Sequence, residues 1–493
     1  MKARKILLLF AIVIATLLAL TYLFPRNGIT VGSLTLRFPT LHSLVERTDV
    51  ANTEIVNDTA TGQMALEDSI AFYRKLIDSS ALRFWLPEPH YFDDFWQSAT
   101  KARKQKRTIR ILHYGDSQIE LDHISSRLRA NMQRKYGGGG PGMLPFHTTT
   151  PTMTVRQSNS GDLIHLASFG DSLAVRSRGN YGLMMQCFRL EGGSATVTVK
   201  SANSNRVDDA AKNFERVQLV ANNRGGLVAA FTNLKNKKGS QQKNAPQGVG
   251  SLMWRTDTVT NGIRLHVSGN ADLYAITIDA DSGGIAVDNI PMRGCSGQQF
   301  TLVNEQLLTA AYATLDIGMI ILQFGGNTVP YLKDSKDIST YCRSIAKQIA
   351  YVHRCCPKAK LLFVGPSDMS KRIRGEVQTY PIIPELIDSL AATATANGAA
   401  YWSIYHAMGG LNTMPQWTRQ GLAGNDYIHF SQKGADKMGD LLAEAFENSH
   451  SLYILEQRWA QLQPKAEKKA IQKSKAKTNR KARNSRRKRG GGR

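Results

Sequence analysis

Cysteine is scarce in this chain, and its five cysteines have no spacing that suggests a metal site or a disulfide framework. Cys355 and Cys356 are adjacent, whereas cysteine pairs that bind zinc are separated by two to four residues. The odd count allows one disulfide in an oxidising compartment but gives no complete framework, so buried free thiols are favoured. No His-x-x-x-His motif and no cluster of paired carboxylates occurs either. We therefore expect neither a metal nor a cofactor.

Acidic residues are also few, 39 Asp and Glu against 63 Lys and Arg, which gives a formal net charge of +24. Residues 465–493 hold 14 of the basic residues and one Glu, a net charge of +13, and the rest of the chain carries +11. A basic surface on the folded part is therefore weakly supported, and nucleic acid is disfavoured as a partner. Residues 464–493 read as a disordered basic tail, whose expected partners are anionic lipid or an anionic polymer.

Long apolar runs are absent except at the N-terminus. Residues 6–24 contain no charge and follow Lys2, Arg4 and Lys5. Nineteen residues span about 28 Å as a helix, which is enough to cross a bilayer. Because the run lacks an Ala-x-Ala cleavage pattern, residues 1–25 are predicted to be an uncleaved single-pass signal anchor in the inner membrane, with the rest of the chain in the periplasm. Secretion after signal cleavage is the alternative.

Residues 106–147 begin a strand–helix alternation after a predicted stalk with N-terminal helices at 26–105. A buried-strand pattern at 108–114 leads into Gly115-Asp116-Ser117, and helical periodicity follows at 119–136, where Leu121, Ile124, Leu128 and Met132 share one face. A strand, a tight turn and a helix expose the turn residue at the carboxyl edge of a parallel sheet. Residues 288–450 resume the alternation, which indicates a three-layer α/β/α domain.

The intervening residues 148–287 have a different character, because Gly, Asn and Ser clusters separate short β-like runs. This spacing predicts an all-β sandwich or jelly roll, inserted into the α/β domain. The runs lie at residues 152–156, 163–167, 173–176, 196–200, 217–220, 227–231, 263–267 and 273–278.

A serine nucleophile needs a histidine base and an oriented carboxylate. Ser117 lies at a strand-to-helix turn outside any G-x-S-x-G motif, so an α/β-hydrolase elbow is not indicated. Asp426 and His429 are three residues apart, close enough to meet within one turn. His113 is interpreted as a core or second-layer histidine, and Asp116 as a turn-stabilising residue.

The developing oxyanion of acyl transfer needs fixed hydrogen-bond donors. Asn327 follows Gly325-Gly326 after a predicted strand at 317–324, and the two glycines allow a tight turn that brings its amide inward. Gly297, in the loop Arg293-Gly294-Cys295-Ser296-Gly297, could offer a backbone N–H. Gly294 remains an alternative within that loop.

Gly-Asp-Ser117, the loop with Gly297, Gly-Gly-Asn327 and Asp426-x-x-His429 resemble, in order, the four sequence blocks of the SGNH (GDSL-type) hydrolase superfamily. The resemblance implies Ser117, Asp426 and His429 as the catalytic triad. It also implies an oxyanion hole formed by the N–H groups of Ser117 and Gly297 and the Asn327 side chain. One departure is Thr328, where many members have Asp after the Asn.

An α/β domain with an inserted β module behind an export signal is similar to the layout of bacterial peptidoglycan O-acetylesterases, in which the inserted module resembles a carbohydrate-binding domain. We therefore expect an exported serine esterase that removes O-acetyl groups from a cell-envelope glycan. Peptidoglycan is the favoured substrate, and another acetylated glycan is the alternative. An O-acetyltransferase of the same fold is the first alternative, since both enzymes share the first half-reaction. A non-catalytic glycan-binding envelope protein is the second.

Overall fold

The computed structural model describes residues 29–31, 34–36, 59–79, 81–170, 179–235 and 240–462. Contacts divide the chain into a unit of residues 72–453 and a second unit of residues 1–71 and 454–493. Within the described residues, no helix is long and apolar enough to cross a membrane. The predicted anchor at 6–24 and the predicted tail at 464–493 lie outside the described residues.

The strands and helices follow one another in an order that alternates near both ends and is all-β in the middle. In chain order the strands are β1 (Ile29–Val31), β2 (Leu34–Leu36), β3 (Phe84–Trp85), β4 (Thr108–Gly115), β5 (Gly142–Leu144), β6 (Val155–Gly161), β7 (Ile164–Ala167), β8 (Gln186–Ser201), β9 (Phe214–Asn233), β10 (Gln241–Asn244), β11 (Gly248–Thr260), β12 (Gly262–Asp279), β13 (Gly284–Pro291), β14 (Ile317–Gln323), β15 (Lys360–Gly365), β16 (Ser370–Ile373), β17 (Glu376–Thr379) and β18 (Ala400–Ser403). The helices are α1 (Thr59–Ile77), α2 (Asp93–Ala102), α3 (Ser125–Tyr136), α4 (Asp209–Lys212), α5 (Glu305–Ala313), α6 (Ser335–Cys355), α7 (Ile383–Ala396), α8 (Ile404–Met408), α9 (Met414–Arg419) and α10 (Gln432–Leu462).

A six-stranded sheet in the order β13-β4-β14-β15-β18-β3 forms the centre of the unit 72–453. All neighbouring pairs are parallel except β18 with β3, which is antiparallel at the sheet edge. The strand segments around Ile111, Ile320 and Leu362 are buried almost throughout, as expected for a parallel sheet covered on both faces. The mixed α/β class with a parallel sheet, predicted from the sequence, is confirmed.

Alternate side chains of the central strands enter two separate apolar cores. On β4, Leu112 and Tyr114 belong to one core, which also receives α5, α6 and α7. Ile109 and Ile111 point to the opposite core, together with residues of α2, α3 and α10. Helices therefore cover both faces of the sheet, and the carboxyl ends of its parallel strands share one edge.

The helix predicted at 119–136 begins later, at Ser125. Leu121, Asp122 and Ile124 adopt left-handed backbone angles, with φ of 59°, 67° and 56°. Such angles cannot continue a right-handed helix, so the chain runs as a loop behind the Gly-Asp-Ser turn. Leu121, placed by the prediction on the buried helix face, is 39% exposed.

The helices at the ends of the unit also differ from their predicted bounds. The sequence pattern at 69–85 predicts a helix, whereas α1 covers Thr59–Ile77 and is followed by the short strand β3. The pattern at 431–446 predicts a closing helix with Ser431 as its N-cap, and this helix extends as α10 to Leu462. Ser431 accepts a hydrogen bond from the Gly434 N–H at its start, at 3.3 Å, consistent with the expected N-cap.

The all-β region forms one hydrogen-bonded, eight-stranded sheet, in which every pairing is antiparallel. The predicted sandwich of two packed sheets is thus not confirmed. Its expected short strands at 217–220 and 227–231 belong to the single strand β9, and those at 263–267 and 273–278 belong to β12. Register shifts interrupt the β9–β12 pairing near Asn270, so the glycine and asparagine cluster there makes β-bulges and not a turn. The predicted run at 173–176 lies outside the described residues.

A buried ion-pair network connects the two sheets. Arg110 on β4 donates two hydrogen bonds to Asp288 on β13, both at 2.7 Å, and one to Asp279 on β12 at 2.8 Å. Asp288 also accepts from the Met143 N–H on β5 at 2.8 Å. Strand pairing crosses the predicted domain limits, since β5 pairs with β12 and β13 begins at Gly284. The division at 147/148 and 287/288 stays a prediction.

The five cysteines are unpaired thiols, and all except Cys356 are buried. Burial raises the pKa of the Cys187 thiol well above its ordinary value, with the nearby Asp272 charge acting in the same direction. A thiol held protonated in an apolar environment is a poor nucleophile. These side chains therefore act as small apolar residues of the core.

Candidate active site

Ser117 is the first residue of a one-turn 3₁₀ helix, Ser117–Ile119, directly after β4. The Asp116 carboxylate caps this turn by accepting a hydrogen bond from the Gln118 N–H at 3.0 Å. A Cβ atom at Gly115 would lie 2.9 Å from Ile119 Cδ1, closer than real side chains pack. The glycine and the capping carboxylate therefore allow the sharp turn that places Ser117 beyond the sheet edge.

The structure brings Ser117, His429 and Asp426 together in one hydrogen-bonded chain. Ser117 Oγ lies 2.8 Å from His429 Nε2. His429 Nδ1 lies 2.7 Å from Asp426 Oδ2. The carboxylate can only accept, so His429 carries its proton on Nδ1 and presents the Nε2 lone pair to the serine hydroxyl. Such an arrangement can remove a proton from Ser117 as the hydroxyl attacks an electrophile.

The loop that carries Asp426 and His429 is a tight turn. Asp426 Oδ1 accepts hydrogen bonds from the N–H groups of Ile428 and His429, both at 3.1 Å, while Tyr427 adopts φ of 56°. Partial burial of Asp426 favours the protonated acid, but the hydrogen bonds from the His429 ring and from these backbone groups outweigh it and lower the carboxyl pKa. Asp426 is therefore ionised at neutral pH and can stabilise a protonated His429.

Gln118 holds the histidine loop, and nothing in the sequence had singled it out. Its side-chain Nε2 donates to the Ile428 carbonyl at 2.7 Å, and its Oε1 accepts from the Phe430 N–H at 3.2 Å. The amide thus bonds the backbone on both sides of His429. The only signal in the sequence is its place next to Ser117, and the partner lies more than 300 residues away. We interpret Gln118 as a positioning residue for the imidazole.

Asn327 also reaches the sheet edge, in the 3₁₀ helix Gly326–Tyr331 after β14. Its Nδ2 donates to the Cys295 carbonyl at 3.0 Å and to Asp116 Oδ2 at 3.3 Å. Gly325, which precedes the helix, has φ of 122°, a conformation that side chains rarely tolerate. Asn327 therefore lies beside the residue that precedes Ser117, and its role as an oxyanion donor stays a prediction.

Gly297 and Gly294 differ in their surroundings, although both have a left-handed φ. A Cβ at Gly297 would lie 2.8 Å from the Phe324 ring, whereas a Cβ at Gly294 would meet open space. Phe324 immediately precedes the Gly325-Gly326-Asn327 segment. Gly297 is thus the glycine that packs against the Asn327 loop, while its role as a donor remains a prediction.

Asp116 is a buried carboxylate that contacts both the serine turn and the amide of Asn327. Desolvation raises its carboxyl pKa to about 6, opposed by the hydrogen bond from the Gln118 N–H and by the charge of His429. It does not contact the His429 ring through any hydrogen bond found among the described residues, and Asp426 occupies that position. The contacts agree with the turn-stabilising role expected from the sequence.

His113 is fully buried and lies away from the serine–histidine contact. Its Nε2 is 2.9 Å from Gln323 Oε1, and its Nδ1 is 3.0 Å from Ser125 Oγ. Burial lowers its pKa to about 4, with the Arg129 charge in the same direction and the Gln323 hydrogen bond opposed. His113 is therefore neutral at ordinary pH, and its contacts are those of a core histidine.

The described part of the chain contains no group of three or more His, Cys, Asp or Glu side chains arranged to hold a metal ion.

No family model matches this chain, and no curated protein matches it either. Among solved structures, a peptidoglycan O-acetylesterase is similar over 74% of this chain and 97% of that chain, with 21% identity and a TM-score of 0.59. This likeness shows that the chain shares the fold of that protein. A family two carbohydrate esterase from Cellvibrio japonicus covers 61% of this chain and 99% of its own, with 9% identity and a TM-score of 0.25. A putative GDSL-like lipase from Parabacteroides merdae ATCC 43184 covers 33% and 74%, with 14% identity and a TM-score of 0.25. These two TM-scores are too low to support an argument.

We expect Gln118→Ala to lower kcat for a soluble acetyl ester by about tenfold or more, because a small displacement of a catalytic group is costly. KM should change little, since Gln118 bonds the protein backbone. Gln416→Ala, at an exposed position on α9, is the matched control. Steady-state kinetics and urea unfolding of both variants check this. Full kcat in folded Gln118→Ala would show that the imidazole does not need this support.

Asp116→Asn should make folding stability less dependent on pH. Folding raises the Asp116 carboxyl pKa from 3.8 to about 6, so the proton bound at Asp116 stabilises the native state, and this stabilisation is fully present below pH 3.8. The stabilisation amounts to roughly 3 kcal/mol and is lost as the pH rises through 6. The unfolding free energy of Asp116→Asn, relative to wild type, should therefore rise between pH 4 and 7, as measured by urea denaturation. A constant difference across this range would show that Asp116 is not a strained buried acid.

Proposed function

We propose that this chain is a serine esterase that removes O-acetyl groups from a cell-envelope glycan, with Ser117 as nucleophile. The observation that carries the proposal is the contact chain from Ser117 Oγ through His429 to Asp426, at 2.8 and 2.7 Å. A serine, a histidine and a carboxylate in this order are the groups that acyl transfer needs. The SGNH hydrolase fold supports the same activity.

In the first half-reaction, Ser117 Oγ attacks the acetyl carbonyl carbon while its proton moves to His429 Nε2. The imidazolium that results is stabilised by the ionised Asp426. His429 then returns the proton to the sugar oxygen as the ester bond breaks, which leaves an acetyl group on Ser117. In the second half-reaction, His429 takes a proton from water, and the hydroxide attacks the acetyl-serine. Acetate departs, and Ser117 recovers its proton.

The negative charge on the carbonyl oxygen of each tetrahedral intermediate needs donors at the Ser117 end of the sheet. The N–H groups of Ser117 and Gly297 and the Asn327 amide are the proposed donors. Both N–H bonds of Asn327 already have acceptors in the structure, and the longer contact goes to Asp116 Oδ2 at 3.3 Å. Asn327 can therefore serve the oxyanion by exchanging or sharing this weaker bond.

Exposure of the site favours hydrolysis over transfer to a second glycan hydroxyl. The side chains of Asp426 and His429 are each 47% exposed, so water can reach the acetyl-serine from solvent. A transferase must keep water away from the same intermediate. We therefore propose that water, and not a glycan hydroxyl, accepts the acetyl group from Ser117.

Peptidoglycan is the favoured substrate, because the solved structure with a TM-score of 0.59 is a peptidoglycan O-acetylesterase. The proposed location rests on residues 6–24, an uncharged apolar run behind three basic residues. As part of the proposal, this run anchors the protein and the catalytic body lies outside the cytoplasm. The basic residues after 464 then attract it to anionic lipid or polymer.

Ser117→Ala should abolish release of acetate from p-nitrophenyl acetate and from O-acetylated peptidoglycan, while the fold remains intact. The substitution removes only the hydroxyl that attacks the ester. Acetate release measured with and without added de-O-acetylated glycan separates hydrolysis from transfer. Activity within a few-fold of wild type in the folded variant would contradict the nucleophile assignment. Acetyl groups recovered mainly on the added glycan would identify a transferase.

Asn327→Ala should lower kcat by about 10²–10³ with little change in KM, since an oxyanion donor acts on the transition state. Asn327→Asp, which removes the donor but keeps the shape, is the matched variant and should lose at least as much. If KM rises and kcat stays constant, Asn327 binds substrate and does not stabilise the oxyanion.

A further inference from the structure

A surface depression lies next to the candidate active site, between the α/β sheet and the β module. It is a depression open to solvent and not an enclosed cavity. Asn289 and Pro291 of β13 line one wall, and Asp122 and Arg129 line another. The loop before β6 and Gln186 on β8 close the remaining side.

The depression opens at the same sheet edge as Ser117. Pro291 is the register partner of Gly115, two residues before Ser117, on the neighbouring parallel strand. Adjacent strands are about 5 Å apart, so the two sites are separated by on the order of 10 Å. Asp122, in its wall, follows Ser117 by five residues. A chain-like substrate whose ester lies at Ser117 can therefore extend into this space.

The walls are held rigidly before any ligand binds. Arg129 donates two hydrogen bonds to Asp122, at 2.6 and 3.0 Å, and one to the Val287 carbonyl at 2.7 Å. Thr154 also donates to Asp122. These residues are buried, and their contacts hold the left-handed loop around Leu121 in place. A pre-formed wall lowers the entropy cost of binding.

The chemistry of the lining suits an uncharged, hydroxylated ligand. Threonines at 148, 149, 150 and 152 provide hydroxyl groups, whereas prolines and the buried Met143 and Met184 provide apolar surface. The charges of Asp122 and Arg129 neutralise each other. Thr148 Oγ1 is buried and has no hydrogen-bond partner among the described groups, a state that native proteins seldom leave unexplained. A sugar ring offers hydroxyls to such groups and an apolar C–H face to the prolines.

We infer that this depression, the threonine pocket, binds the sugar that neighbours the O-acetylated sugar of a glycan chain. The inference rests on the proposed function and adds to it a subsite for the chain itself. Rotation of the Thr148 side chain brings its hydroxyl to a sugar hydroxyl there, and the threonine-rich loop joins the β module to substrate selection. Glycan fragments are thus recognised over more than one sugar, while a small acetyl ester uses only the site at Ser117.

Thr149→Trp, at the exposed rim of the threonine pocket, tests this by filling the space. The ratio of kcat/KM for O-acetylated peptidoglycan fragments to kcat/KM for p-nitrophenyl acetate should fall about tenfold, because the indole removes the contacts of the neighbouring sugar with the pocket. Thr148→Val, which removes one hydroxyl at nearly constant volume, should lower the ratio by a few-fold. Thr340→Trp, at an exposed threonine on α6, is the matched control and should leave it unchanged.

Binding of de-O-acetylated fragments to the Ser117→Ala protein, measured by calorimetry, gives a second readout without turnover. Thr149→Trp in that background should weaken Kd about tenfold. An unchanged ratio and an unchanged Kd in folded Thr149→Trp would overturn the subsite. If wild type hydrolyses p-nitrophenyl acetate but not the fragments, the proposed glycan substrate is wrong. In that case, weaker fragment binding to the Ser117→Ala protein that also carries Thr149→Trp would still support the threonine pocket. Absence of fragment binding to the Ser117→Ala protein would overturn the subsite.

Discussion

The buried carboxylate of Asp116 is the constraint on which the site depends. One of its oxygens caps the turn that presents Ser117, and the other accepts a hydrogen bond from Asn327. Two segments that are more than 200 residues apart are therefore fixed against each other through one side chain. Desolvation makes this carboxylate unfavourable, as its raised pKa shows, so the fold gives up stability to hold the nucleophile and a donor together. Burial elsewhere in the sheet offsets that cost.

The α/β part of the fold could be predicted because its signals are local. The apolar runs around Ile111 and Ile320 are the pattern of strands covered on both faces, and the glycines that follow mark their carboxyl ends. Parallel strands bring those ends to one edge, so Ser117 and Asn327 could be expected to meet. The contact between Asp426 and His429 could also be predicted from local sequence, since the two residues are only three positions apart.

Other features depend on contacts that no local pattern contains. Gln118 bonds the backbone around His429 across more than 300 residues, and nothing in its neighbourhood distinguishes it from a surface glutamine. The glycine and asparagine cluster near Asn270 indicated a turn, yet the long strand β12 passes through it with bulges, because pairing on both sides holds the strand extended. The left-handed residues after Leu121 likewise interrupt a helical pattern through their contacts with Arg129 and the β module.

The central claim is that Ser117 forms an acetyl-enzyme. Rapid mixing with an acetyl ester, followed by acid quench and peptide mass spectrometry, tests it most directly. The account predicts one acetyl group on the peptide that contains Ser117, formed within a turnover and lost again as acetate appears. Its amount should rise in a variant that slows attack by water. Acetate release at the full rate with no acetyl group on Ser117 at any time point, or with the group on another residue, would contradict the account.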